Sequence, residues 1–340
     1  MTRHAILLVN LGSPASPSTA DVKDYLDEFL MDPYVLDFPT LLRTLLVRGL
    51  ILNTRPAKSA AAYAKIWTDD GSPLVAISQR TQNALEARMH VPVGLAMRYG
   101  EPSIAHGIDE LLARAGEIDE LLVVPLYPHY AMASTKTVEV AVKRALQGKK
   151  VAYRFVDPFY DDPAYLDALT ASLRAGTPAD AQFLLFSYHG IPQRHARKMD
   201  PTGAHCLRSA GCCTTPSEAW ATCYRHQVIA TMEGVAQRLG LRSEEYGFAF
   251  QSRLGGGWLE PFTDKELAAL PGRGVTRLAV VCPSFVADCL ETLEEMEMRG
   301  RETFLAAGGE TFTYIPCLND DAAWVDALAA LCRKPAPVPA

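Results

Sequence analysis

Eight short apolar runs, each bounded by glycine or proline, constrain this chain more than any other feature: residues 5–10, 93–99, 121–126, 151–156, 182–188, 246–251, 277–282 and 312–315. Runs of this length with little polar alternation read as strands buried on both faces. The stretches between them carry helical periodicity, at 21–30, 74–88, 104–115, 135–146, 164–174, 217–239 and 286–306. Ser18 or Thr19 stands where an N-cap for the first of these is needed. Strands alternating with helices imply parallel sheets, because a parallel pair needs a crossover long enough to hold a helix.

The two halves echo each other in the same order. ILLVNLGSP at 6–14 resembles LLFSYHGIP at 184–192, GLAMR at 94–98 is matched by GFAFQ at 247–251, and LVVP at 122–125 by LAVVCP at 278–283. The reading is an α/β protein of two similar doubly wound domains. The first covers 1–128 with a C-terminal return at 315–340, and the second covers 129–314, with the crossover within 127–134. Ligands of such sheets bind beyond the carboxyl ends of the strands. The proline-rich residues 333–340 read as a frayed tail.

Composition narrows the function. With 33 Lys and Arg against 39 Asp and Glu the net charge is −6, so no basic footprint points to nucleic acid. The first residues hold one short apolar run with no signal-peptide pattern, and no segment is long enough to span a bilayer. Eight cysteines in 340 residues are too sparse for a disulfide scaffold, so a reducing cytoplasm is expected.

Chemistry should follow the strand ends. His189 ends the run at 182–188 and precedes a Gly-Ile-Pro turn, where an imidazole suits proton transfer or metal contact; the alternative is a histidine bonded to its own turn. After the run at 277–282, Asp288, Glu291 and Glu295 recur at helical spacing and would share one face, either facing His189 to guide a divalent cation or simply solvated. Gln251, Arg253, the glycines 255–257 and Trp258 lack the features of a nucleotide loop and better suit a flat, anionic, apolar ligand. The leucine-rich stretch 30–53 is either core or an exposed lip for a hydrophobic ligand or a membrane surface.

Taken together, these motifs resemble the ferrochelatase family, which inserts ferrous iron into a porphyrin. The resemblance runs in order through LVNLGSP (8–14), GSPL (71–74), PLYP (125–128), SYHGIP (187–192), FQSR (250–253), WLEP (258–261), PSFVADCLETLEE (283–295), the glycines 308–309 and YIPCLN (314–319). It implies two Rossmann-like domains with a porphyrin cleft between them, protoporphyrin IX and ferrous iron as substrates, and a monomer or homodimer in the cytoplasm, with peripheral membrane contact as an option. It places His189 and Glu291 in the two active-site positions, both for metal contact and for proton removal. Ser13, Gln251, Arg253, Trp258, Asp288 and Glu295 are the expected substrate contacts. Coproporphyrin III, cobalt chelation for a corrinoid, and a non-catalytic porphyrin carrier are the alternatives. One departure stands out: in many relatives the acidic row runs on, whereas here Glu291 and Glu295 are followed by Arg299, and Cys289 stands where some relatives have histidine.

Cys206, Cys212, Cys213 and Cys223 crowd into a segment that short relatives lack. Four thiolates suit a [2Fe–2S] cluster or zinc, and the adjacent pair at 212–213 is awkward for a zinc knuckle. Some bacterial members of the family resemble this chain in carrying an internal cluster. Iron–sulfur is the expectation, with zinc or unligated thiols as alternatives.

Overall fold

The computed structural model describes residues 3–335, and the tail expected from residue 333 lies outside it from 336 onward. All eight apolar runs are strands: β1 (His4–Gly12), β2 (Val93–Tyr99), β3 (Glu120–Pro125), β4 (Ala152–Phe155), β5 (Phe183–His189), β6 (Tyr246–Gln251), β7 (Arg277–Val281) and β8 (Thr311–Ile315). They form two four-stranded parallel sheets, ordered β2-β1-β3-β4 and β6-β5-β7-β8. Matching β1 to β5, β2 to β6 and so on gives one order for both, so the internal echo in the sequence is a repeat of topology. In the first sheet Ala5 to Val9 are almost wholly buried, as continuous apolar strands between helical layers should be. In the second, Leu185, Val280, Phe304 and Phe312 sit in one core.

The chain divides into two compact units, residues 1–126 with 132–157 and 320–340, and residues 127–131 with 158–319. The expected boundary after 128 is therefore too early, and the expected return at 315 too early as well. The reason is strand pairing. β4 adds to β3 in the first sheet through the crossover helix Thr137–Ala145, and β8 still belongs to the second sheet through β7. The returning helix Ala322–Arg333 docks on Pro73–Met89, with Arg80 bonded to Asp320 at 3.0 Å and Arg88 to Asp326.

Helix starts follow local chemistry. Ser18, Ser103, Asp162 and Asp321 each cap a helix by accepting a backbone N–H with the side chain. The expected helix at 217–239 is broken into a short 3₁₀ turn, Glu218–Ala221, and the helix Tyr224–Leu239. That at 286–306 starts later and is a π-helix, Glu291–Gly300, running into Arg301–Ala306. In the first unit the leucine-rich stretch forms the helix Thr40–Leu46 and the π-turn Val47–Ile51, with Leu41, Leu42, Leu45 and Leu50 between 52% and 75% exposed. Core packing does not describe these four side chains. No helix among the described residues is long and apolar enough to cross a membrane.

At the end of β1 the chain turns through Gly12 at φ +106°, where a Cβ would lie 1.7 Å from the carbonyl oxygen of Tyr99. Only glycine combines that dihedral with so close a backbone. Gly12→Ala should lower the urea-unfolding free energy by about 3 kcal/mol or more. Gly49→Ala, whose Cβ would meet nothing within 4 Å, should leave it unchanged or slightly raised.

Candidate active site

The second unit assembles the site at the carboxyl ends of β5, β6 and β7. His189 is the last residue of β5 and pairs in register with Gln251, the last of β6. Its Nδ1 lies 2.7 Å from the carbonyl oxygen of Gly190, so Nδ1 carries the proton and donates. In the neutral ring this tautomer leaves the lone pair on Nε2. The backbone around this residue is tightly built. Gly190 N–H donates to the Gln251 carbonyl at 2.8 Å, and a Cβ on Gly190 would come within 2.8 Å of that oxygen and 3.2 Å of the Trp258 ring. Trp258 thus packs on the His-Gly turn, and its carbonyl accepts from Gln193 Nε2 at 3.2 Å.

Glu291 opens the π-helix, whose i→i+5 bonding brings residues four and five apart nearly into line. Glu291 and Glu295 are set side by side on it, close enough that the Glu291 charge raises the Glu295 pKa. The Cys289 thiol contacts Glu291 and is buried, and burial first, then the Glu291 charge, pushes its pKa up. Glu295 is held by two donors from Ser252: the backbone N–H to Oε1 at 2.8 Å and the hydroxyl to Oε2 at 2.5 Å. Ser252 reaches both oxygens from a left-handed backbone at φ +63°, an uncommon state for a residue with a side chain. Burial raises the Glu295 carboxyl above its ordinary range, against the pull of Ser252, His189 and Arg299. Glu291 and His189 thus both act on the Glu295 carboxyl, in opposite directions.

The other expected contacts divide. Gln251 is buried as a brace, its Oε1 accepting from Ser187 at 2.7 Å and its Nε2 donating to the Glu291 carbonyl at 2.8 Å. Asp288 precedes the π-helix and does not share the Glu291–Glu295 face. Its carboxylate accepts from Thr292, Tyr314 and Asn319 at 2.6–2.9 Å and is buried. The reason is that the helix begins only at Leu290, so helical spacing does not extend back to it. Arg253 lies over the Phe262 ring and pairs with Asp264 at 2.6 Å. A cavity of about 400 Å³ outside Glu295 is lined by Ser252, Arg253, Asp264, Glu295 and Arg299. Arg299 donates to the buried Glu294 at 2.8 Å, so a cation ends the acidic row. In the first unit, Ser13 is buried, and its hydroxyl has no hydrogen-bond partner among the described residues.

Cys206, Cys212, Cys213 and Cys223 are gathered in one buried cluster, and no disulfide joins them. Cys212 and Cys213 sulfurs are 3.9 Å apart, and Cys223 contacts both Cys206 and Cys213. The contact with Cys223 first, then burial, raises the Cys213 thiol, and Arg225, 3.1 Å from its sulfur, opposes that rise. Asp200 fixes the loop by accepting from Cys206 and His205 N–H, each at 2.8 Å; these donors outweigh burial and hold its carboxyl well below the usual range. No group of three or more His, Cys, Asp or Glu among the described residues is placed to hold a metal ion. A [2Fe–2S] centre takes its ligands as two pairs, one on each iron. The thiol contacts run from Cys212 to Cys213, from Cys213 to Cys223 and from Cys223 to Cys206, beside the Arg225 guanidinium.

Sequence reasoning passed over Ser252, Ser284 and Tyr224, all of which bond into this site. Ser252 stood in a quoted motif, but hydroxyls are too common for position alone to mark one.

The ferrochelatase family model matches residues 3–336. The chain is 52% identical over 340 residues to the ferrochelatase of Azotobacter vinelandii, covering 98% of this chain and all of that one. It is 51% identical to the ferrochelatase of Pseudomonas fluorescens, covering 98% of each. Among solved structures it is similar to SirB from Bacillus subtilis with Fe3+, at TM-score 0.56 and 14% identity over 98% of this chain and 95% of that one. The sirohydrochlorin chelatase SirB of Bacillus subtilis subspecies spizizenii, in complex with cobalt, matches at TM-score 0.53 and 13% identity over 98% and 94%. These two share the paired-sheet fold. Half of all residues held in common with named relatives, along with a family match from end to end, places this chain in the ferrochelatase family.

Proposed function

We propose that His189 accepts pyrrole protons while Glu291 and Glu295 attract and hold the incoming metal. As a ferrochelatase, the chain inserts Fe2+ into protoporphyrin IX and gives protohaem. The balance is one Fe2+ in and two N–H protons out. The observation that carries the reading is the His189 Nδ1–H···Gly190 bond, which sets the tautomer whose neutral form accepts a proton at Nε2, at the end of a strand. A neutral imidazole takes a proton without repelling the metal. The two carboxylates offer oxygen ligands to a partly hydrated cation and neutralise its charge as water is lost. Ser252 keeps Glu295 from turning away, and Gln251 holds the first turn of the π-helix at the sheet edge.

The four cysteines Cys206, Cys212, Cys213 and Cys223 are read here as ligands of a [2Fe–2S] cluster. Support comes from their shared burial and from the Arg225 guanidinium, which offsets thiolate charge. When bound, such a group would supply a redox-active structural tie, since metal insertion itself transfers no electrons.

His189→Ala and Glu291→Gln should each lower kcat/KM for anaerobic Fe2+ insertion by about 10²-fold or more. Undiminished metalation in both variants overturns these roles. Protoporphyrin should be metalated faster than coproporphyrin in the same assay.

The pH dependence has a definite sign. Ionised Glu295 attracts the metal, and its raised pKa puts the acid limb of kcat/KM for Fe2+ above the ordinary carboxylate value of about 4.3. Ser252→Ala removes a donor that favours the ionised form, so the limb should move up. A limb that stays in place or moves down contradicts the Ser252–Glu295 pairing.

Protein purified anaerobically should be coloured and contain iron and acid-labile sulfide at about two each per chain. Colourless protein holding only zinc, or no metal, excludes the cluster.

A further inference from the structure

The cysteine cluster and the His189 turn meet at one side chain. Cys223 belongs to the cluster and is also the N-cap of the helix Tyr224–Leu239, its sulfur accepting from His226 N–H at 3.5 Å. The first turn of that helix is tied to the cluster twice more: Arg225 donates to Cys213 Sγ at 3.1 Å, and His226 Nδ1 donates to the Cys213 carbonyl at 2.7 Å. His226 also stacks on Trp220, ring centroids 4.0 Å apart. Any movement of Cys213 or Cys223 therefore acts on residues 224–226 directly.

The same turn grips the catalytic strand end. Tyr224 OH donates to the His189 carbonyl at 2.8 Å and accepts from Ser284 Oγ at 2.8 Å, while Ser284 Oγ accepts from His189 N–H at 3.1 Å. These three bonds close a ring around the His189 backbone, holding both its N–H and its C=O. Tyr224 in this ring is buried, with His129 edge-on at 5.9 Å and Phe250 at 6.4 Å. Side chains in such a packed polar network have few alternative positions, so a shift at one end is passed on.

We propose that Tyr224 is a positioning residue that couples the geometry of the Cys206–Cys212–Cys213–Cys223 cluster to the placement of His189. The proposal rests on the reading of His189 as the proton acceptor. A reacting group displaced by about 1 Å can lose up to about 10²-fold in rate, so a small change at the cysteines has a lever on the chemistry. The coupling runs through the protein and needs no electron transfer to the substrate.

The test uses the full chain labelled with 15N-histidine, the His189 imidazole signals being assigned by their loss in His189→Ala. Tyr224→Phe keeps the ring and removes the hydroxyl. It should lower kcat by about tenfold with KM for porphyrin unchanged, and shift the His189 signals. Cys213→Ser should shift the same signals when Tyr224 is present and leave them in place in the Tyr224→Phe background. Unmoved His189 signals in Tyr224→Phe, or an equal response to Cys213→Ser in both backgrounds, overturns the proposal. Should Tyr224→Phe not fold, Ser284→Ala opens the same ring, and the same two outcomes decide. Full activity of His189→Ala would instead remove the role given to that residue, while the signals in the Tyr224 variants still report on the coupling.

Discussion

The Gln251 side chain is the join on which the site depends. It sits at the carboxyl end of β6, takes a hydrogen bond from Ser187 on β5, and gives one to the main-chain carbonyl of Glu291 at the first turn of the π-helix. A buried amide that ties two elements to its own strand has no low-energy alternative, because each broken bond would leave a buried polar group unpaired. Its neighbour Ser252 repeats the connection with both of its donors on Glu295. Two consecutive residues at the end of one strand thus set the spacing between the sheet that carries His189 and the helix that carries the carboxylates.

The left-handed backbone at Ser252 is a consequence of this arrangement. To place a main-chain N–H and a side-chain hydroxyl on the two oxygens of one carboxylate, the chain must turn sharply immediately after β6. Glycine would relieve the dihedral but would offer only one donor. The bonds to a buried carboxylate offset the strain, which is the usual circumstance in which a non-glycine residue keeps a positive φ at a functional site.

Most strands were legible because a parallel strand covered on both faces is apolar throughout, but β4, expected to be buried on both faces, has Ala152 and Tyr153 exposed. Three strand pairs of the repeat were legible for the same reason. What periodicity could not supply was pairing and bulge. β4 reads as well for one sheet as for the other, and only its hydrogen bonds to β3 assign it to the first. The widening of the helix after Leu290 leaves no mark in spacing, since residues four apart share a face in an α-helix and lie close together in a π-helix as well. Asp288 was grouped with Glu291 and Glu295 on that spacing, but the helix starts too late to include it, and Tyr314 and Asn319 claim its oxygens. Tyr224 lay inside the helical stretch 217–239, but nothing in its spacing marked it for the site. It lay next to a cysteine of the cluster, and only tertiary folding brings its hydroxyl to His189.

Arg299 gives the site a direction. An acidic row that continued outward would attract cations along its whole length, but a guanidinium four residues beyond Glu295 makes the outer turn repulsive to a free divalent ion. Its bond to the buried Glu294 holds that positive charge close to the helix. The negative charge of the row is then confined to Glu291 and Glu295. Arg299 also lowers the Glu295 pKa and so favours the ionised form that burial opposes. One cation thus ends the acidic row and favours the ionised form of the carboxylate next to it.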